Sequence, residues 1–137
     1  MRRVKLLLAA SLAIGAVLAS AAPAQASARS AAATWNCFTT QNLCLFYGSF
    51  NQGSYVFFQP GVNDANLADN IFTPSGAGQG QSATNNTRSA SNYNATHPVV
   101  LCSGINYSGV CRILAPNDDW TFDPSFWANV ESFYWGQ

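Results

Sequence analysis

Residues 101–111 read LCSGINYSGVC, and residues 45–55 read LFYGSFNQGSY. In the later stretch, Asn106, Tyr107, Ser108 and Gly109 supply a bend between two runs of β-formers, Val99-Val100-Leu101 and Val110-Cys111-Arg112-Ile113-Leu114. A shift of 56 residues lays the earlier stretch on it: Leu45 meets Leu101, Gly48 meets Gly104, and Gly53 meets Gly109. Phe46 then falls on Cys102 and Tyr55 on Cys111. Two aromatics in one copy and two cysteines in the other are alternative ways to fill one cross-strand position, by packing or by a covalent bond. The chain is therefore read as two similar β-hairpin units sharing a core.

Each hairpin has a closing strand downstream. Asn86-Thr87-Arg88-Ser89 corresponds to Asn129-Val130-Glu131-Ser132. The interval from hairpin glycine to closing serine is longer in the first unit, and the surplus is assigned to the glycine-rich stretch at residues 74–82, PSGAGQGQS, expected to be a flexible loop. A third strand is expected over residues 66–72, with Leu67 and Ile71 in the core, and a closing strand over 84–93. In the second unit a turn at 116–119 leads to a strand at 120–122. Asp123-Pro124 then starts a turn that Asp123 can cap, and residues 129–135 close the unit. With no long amphipathic helix and several short strands divided by Gly, Pro and Asn, the fold class is all-β, an antiparallel sandwich with Greek-key connections. Most of its aromatics, 9 Phe, 5 Tyr and 4 Trp, should be core.

Residues 1–26 stand apart. Arg2, Arg3 and Lys5 precede an apolar run at 6–18, and Ala24-Gln25-Ala26 forms a small-residue cleavage signal. This is the pattern of a secretory signal peptide, so the protein is expected to be secreted and extracellular. Residues 27–36 form a small, polar tail and residues 37–137 the domain. The mature chain keeps three arginines and six carboxylates and has no lysine. Such a surface argues against nucleic acid as a partner and against attachment to anionic membranes. The expected state is a monomer. The four cysteines, Cys37, Cys44, Cys102 and Cys111, all lie in the mature part. An even number in an exported chain predicts two disulfides, and the repeat favours Cys102–Cys111, leaving Cys37–Cys44. Each should contribute roughly 2–3 kcal/mol by constraining the unfolded chain. The spacings do not suit a four-thiolate zinc site.

The hairpins resemble the opening of a βγ-crystallin Greek key, in which an aromatic is followed after four residues by a second aromatic, and after one more by glycine. The second copy fits at Tyr107 and Gly109, with Cys102 in place of the first aromatic; the first fits at Phe46 and Gly53, with Asn51 in place of the second. An exported chain with an early cysteine pair, two such units and the phrases LCLFYG, INYSG and FWANVESF is similar to the bacterial crystallin-fold metalloproteinase-inhibitor family, number thirty-six in the inhibitor series. That resemblance implies a βγ-crystallin-like sandwich of two Greek-key units. It also implies a disulfide-held loop that enters a protease cleft with an apolar anchor beside the zinc. The segment closed by Cys102 and Cys111 is the nearest match, with Ile105, Tyr107 and Val110 as candidate anchors. Here Cys102 is followed by Ser103-Gly104, where an apolar residue would be expected.

Crystallin folds also bind calcium through a motif of two Asn/Asp, two variable residues, Ser/Thr and Ser. Residues 85–90 match it in five of six positions, which makes Asn85, Asn86, Ser89 and, from the second copy, Ser132 calcium candidates. The motif itself contains no carboxylate, whereas calcium prefers several anionic oxygens. The alternative role for Ser89 and Ser132 is to hydrogen-bond the neighbouring hairpin. No resident cofactor is otherwise expected. An enzyme is not expected either: His97 is the single histidine and precedes Pro98 at a strand entry, and Asp118, Asp119, Asp123 and Glu131 read as turn charges and a cap. The function expected from the sequence is a secreted binding protein that inhibits a metalloproteinase. The alternatives are a calcium-binding or structural extracellular crystallin-like protein, and an antimicrobial toxin-like one. Mass spectrometry of the secreted protein should find Ser27 at the mature amino terminus; an intact residue 1–26 segment would refute the cleavage assignment.

Overall fold

The computed structural model describes residues 41–137. The expected signal peptide, the tail and Cys37 lie outside them. Seven strands form two antiparallel sheets: β1 Leu43–Phe46, β2 Tyr55–Phe58, β3 Ser89–Asn92, β4 Val99–Gly104, β5 Ser108–Leu114, β6 Asp118–Thr121 and β7 Ser132–Trp135. The first sheet has the order β2-β1-β3-β6 and the second β5-β4-β7. Alternation along the strands turns Leu43, Leu45, Phe58 and Ala90 of one sheet towards Val99, Leu101, Leu114, Phe133 and Trp135 of the other, in one buried cluster. The Phe58 and Phe133 rings meet across the layers at 4.5 Å.

The duplication is physical. Phe46 pairs with Tyr55 in the first hairpin and Cys102 with Cys111 in the second. The aromatic rings pack at 5.8 Å and the cysteines are bonded. Left-handed backbone recurs at matched positions: Phe50 with Asn106, Asn51 with Tyr107, Gly53 with Gly109, Gly61 with Asn117, and Asn85 with Ala128. Each hairpin folds over onto the closing serine of its own unit. The Ser89 hydroxyl accepts from Asn51 N–H at 3.0 Å and donates to the Gly48 carbonyl at 2.6 Å. Ser132 accepts from Tyr107 N–H at 3.0 Å and donates to the Gly104 carbonyl at 2.6 Å.

The units also exchange their third segments. β6 of the second unit joins β3 of the first, with Ala90 opposite Trp120. The equivalent residue of the first unit, Asp64, bridges to Phe133 of β7 through backbone bonds of 3.0 and 2.9 Å. The strand expected at 66–72 is absent. A short 3-10 turn, Leu67–Asp69, occupies its place, and Ile71 is 47% exposed while Phe72 is fully buried. Local side-chain bonds explain the difference: Asn66 caps the turn, and Asp64 accepts from Asn66 N–H and from the Asn70 amide. These bonds compete with a strand ladder. The closing strand expected over 84–93 is confined to Ser89–Asn92, because the preceding residues turn through left-handed Asn85.

The loop at 74–82 is not flexible in the expected sense. Phe72 N–H donates to the Gln81 carbonyl at 3.0 Å, Gly80 N–H to the Phe72 carbonyl at 2.8 Å, and Ser54 N–H to the Ala77 carbonyl at 2.8 Å. Gly78 lies under the Tyr47 ring, where a Cβ would stand 2.1 Å from a ring carbon. Of the two expected disulfides, Cys102–Cys111 is present; Cys37–Cys44 falls partly outside the described residues.

The serine bonds give a graded prediction. Ser89→Ala leaves a backbone donor and acceptor of the first hairpin unpaired and should cost about 1–3 kcal/mol. Ser132→Ala should cost less, because the Cys102–Cys111 bond still closes its hairpin. Urea midpoints with an unchanged slope would show this; equal losses would refute the ranking.

Candidate functional site

The hairpin loop between Cys102 and Cys111 is held from several directions. The disulfide joins directly opposed residues with a Cα separation of 4.1 Å. A register shift between Cys102 and Gly104 bends β4 at the loop entrance. Inside the loop, Ser108 donates to the Ile105 carbonyl at 2.7 Å, and the Ser103 hydroxyl accepts from Val110 N–H at 2.9 Å. Asn106 N–H donates to the Ala65 carbonyl of the other unit at 2.8 Å, and Ser132 holds Tyr107 from behind. Gly109, at φ +77°, supplies the last left-handed turn.

On this frame Ile105 is 48%, Tyr107 40% and Val110 59% exposed. Ile105 and Tyr107 stand at the tip, while Val110 lies on the return strand. Tyr107 packs edge-on against Tyr134 at 5.6 Å, so part of its ring is committed within the fold. Ile105 lies in the turn between β4 and β5, next to Asn106, whose N–H is tied to Ala65. Sequence reasoning missed Ala65 and Tyr134 as supports. The 56-residue shift does relate the two supports, since Phe50 N–H donates to the Thr121 hydroxyl at the matched position of the first unit, but an alanine carbonyl leaves no mark in the sequence.

The calcium candidates do not form one set. Asn85 and Asn86 share a turn, where the Asn86 amide donates to the Ser82 and Thr84 carbonyls. Ser89 and Ser132 lie in different sheets, and each hydroxyl already makes two hydrogen bonds. Among the described residues no three His, Cys, Asp or Glu side chains group as a metal site. His97 sits in a turn built on Asn94, with Nδ1 2.8 Å from the Thr96 hydroxyl.

Asp123 and both arginines have close partners. Asp123 accepts from the Ser125 hydroxyl and from Ser125 N–H, and pairs with Arg112 at 3.3 Å. The Ser125 hydroxyl, then its N–H and the Arg112 charge, hold the Asp123 carboxyl below the usual range despite some desolvation. Arg112 also lies over Trp120 and Phe126, at 5.4 and 5.5 Å from the ring centres. Arg88 is placed between Tyr47 and Trp127, at 5.4 and 4.7 Å. Asp118 accepts from Asp119 N–H. These bonds tie Asp123 and Arg112 into the β5–β6 end, while among the described residues the Asp118 carboxylate bonds only the neighbouring backbone.

Comparisons agree with this geometry. The chain is similar in structure to a domain from work on the evolution of the eye lens βγ-crystallin fold, at TM-score 0.55 and 11% identity, covering 72% of this chain and 87% of that one. It is also similar to the N-terminal domain of protein S, at TM-score 0.52 and 20% identity over 69% and 93% of the two chains. A βγ-crystallin domain from Flavobacterium johnsoniae gives 0.51 and 15% over 68% and 91%. At these identities the likeness concerns the fold. No curated protein matches the chain. The sequence profile of the peptidase inhibitors matches residues 30–114, a span that takes in the first unit and the whole disulfide hairpin. The chain therefore belongs to peptidase inhibitor family I36, a family of non-enzymatic proteins, and carries that membership on a βγ-crystallin-like fold.

Proposed function

We propose that this protein is a secreted inhibitor of an extracellular metalloproteinase, acting through the loop at residues 103–110. Family membership makes a peptidase the partner. The observation that carries the choice of loop is its fixation at both ends and at its tip, by Cys102–Cys111, Ser132 and Ala65, while its apolar side chains stay exposed. An inhibitory loop must occupy a cleft in a substrate-like shape without relaxing after attack. Fixation before binding removes the ordering cost that a free peptide meets, and keeps any cleaved ends in place.

Ile105 is the leading anchor. It sits at the tip and is half exposed. Tyr107 is secondary because Tyr134 already engages it. Val110 belongs to β5 and borders the loop on its return side. The disulfide in this reading serves the loop more than the fold. The first hairpin reaches the same shape with Phe46 and Tyr55 in the bonded positions.

Titration of the mature protein against a thermolysin-like zinc protease should give inhibition at micromolar concentration or tighter, about −8 kcal/mol. Ile105→Ala should weaken it about tenfold or more, ~1.4 kcal/mol. The pair Cys102→Ala with Cys111→Ala should retain the β-sheet circular dichroism spectrum yet lose a similar factor. Absence of inhibition by the native protein at micromolar concentration would remove the reading.

A further inference from the structure

Each sheet has two edges, and three of the four are protected. β2 is covered by its own unit's long loop: Thr73 N–H donates to the Tyr55 carbonyl at 3.3 Å, and the Ala77 carbonyl accepts from Ser54 N–H. β7 is bridged by Asp64, and the Asn63 side chain accepts from Trp135 N–H at 2.8 Å. β6 is only four residues long and carries Asp118 and Asp119, a charged edge of the kind that discourages pairing. β5 is different. It is seven residues long, most of them exposed, and among the described residues it pairs with β4 alone. Its one charged side chain, Arg112, is drawn onto Trp120, Phe126 and Asp123.

The direction of its backbone groups follows from the pairing. Cys102 and Cys111 are directly opposed with Cα atoms 4.1 Å apart, the close spacing of a non-hydrogen-bonded antiparallel pair. In such a pair both N–H and C=O of each residue point away from the partner strand. Cys111, and by alternation Ile113, therefore turn them to the open side. The first unit confirms the direction: Tyr55, which matches Cys111, turns its carbonyl outward to Thr73. The covering residue, Thr73, immediately precedes the glycine-rich stretch to which the extra length of the first unit is assigned. Beside the open edge is a cleft of about 300 Å³ lined by Arg112, Ile113, Leu114, Asp118, Asp119 and Trp120.

We propose that the open edge of β5 binds an extended polypeptide segment of a partner protein as an added strand, one with alternating apolar and basic side chains. The backbone would bond at Cys111 and Ile113. An apolar side chain would meet Ile113, which is 71% exposed. A basic one would meet Asp118 and Asp119 in the cleft, the carboxylates there that lack a cationic partner among the described residues. A second copy of this chain fits less well, because it brings another acidic surface: the described residues hold six carboxylates and two arginines. The inference rests on the sheet edges and the charge, and holds whether or not the chain inhibits a protease.

The test is an amide-resolved NMR titration of the full mature protein. The probe is a blocked peptide alternating valine and lysine, of the seven-residue length of β5. The expected result is saturable shifts and slowed exchange at the Cys111 and Ile113 amides. A peptide with glutamate for lysine should bind about tenfold more weakly or worse, and so should one N-methylated along one edge. Ile113→Pro should abolish binding while the fold persists, since the lost N–H takes no part in the ladder; should that variant misfold, the N-methylated peptide still decides. Three results would overturn the proposal: no β5 shifts at millimolar peptide, binding indifferent to N-methylation, or sedimentation showing a dimer that Ile113→Pro dissociates.

Discussion

One hydroxyl group in each unit makes the architecture possible. A hairpin that folds over its own sheet breaks its ladder, and the backbone groups near the bend lose their strand partners. Ser89 and Ser132 each supply an acceptor to one N–H and a donor to one carbonyl at that place. An unpaired backbone group shielded from water costs about 1–3 kcal/mol, so the serine decides whether the hairpin lies on the sheet or splays from it. Left-handed residues at the same bend then become tolerable, including the non-glycine pairs Phe50 with Asn51 and Asn106 with Tyr107. The disulfide and the aromatic pair are alternative fillings for a geometry that the serines already set.

Exchange of the third segments joins the two units into one cooperative body. β6 completes the sheet of the first unit, and Asp64 extends the sheet of the second. Neither unit has a complete edge or a closed core by itself, since the central cluster draws on both sheets. Unfolding of one should expose the apolar face of the other. Asn92 strengthens the join: it is fully buried, and its amide donates to the His97, Leu114 and Ala115 carbonyls around the second unit's strands.

Much of this was legible in the residues. The 56-residue shift locates both hairpins and sets Cys102 opposite Cys111, and the match of residues 86–89 with 129–132 marks the two closing serines. The inhibitory-loop candidates were legible as a segment, because a cysteine pair defines its ends. The relative standing of Ile105 and Tyr107 was not, since it depends on Tyr134, which is distant in sequence. The apolar residues at 66–72 resemble a ladder, whereas Asp64, Asn66 and Asn70 bond locally and make a turn. The composition of the glycine-rich stretch suggests a flexible loop. Its glycines instead permit close approach, with Gly78 beneath Tyr47 and Gly76 against Gly53 and Ser54. Composition reports what a backbone can do; contacts determine what it does.

The two arginines of the described residues have a consequence for survival in a protein-degrading environment. Enzymes that cut after cationic residues need an extended backbone and a free cationic side chain to fill their specificity pocket. Arg88 is caught between Tyr47 and Trp127, and Arg112 is pinned to Asp123 over Trp120 and Phe126 in a strand. With no lysine in this region, trypsin-like attack on the native domain must wait for local unfolding. The stacking of its few cations thus shields the folded domain from a large class of proteases.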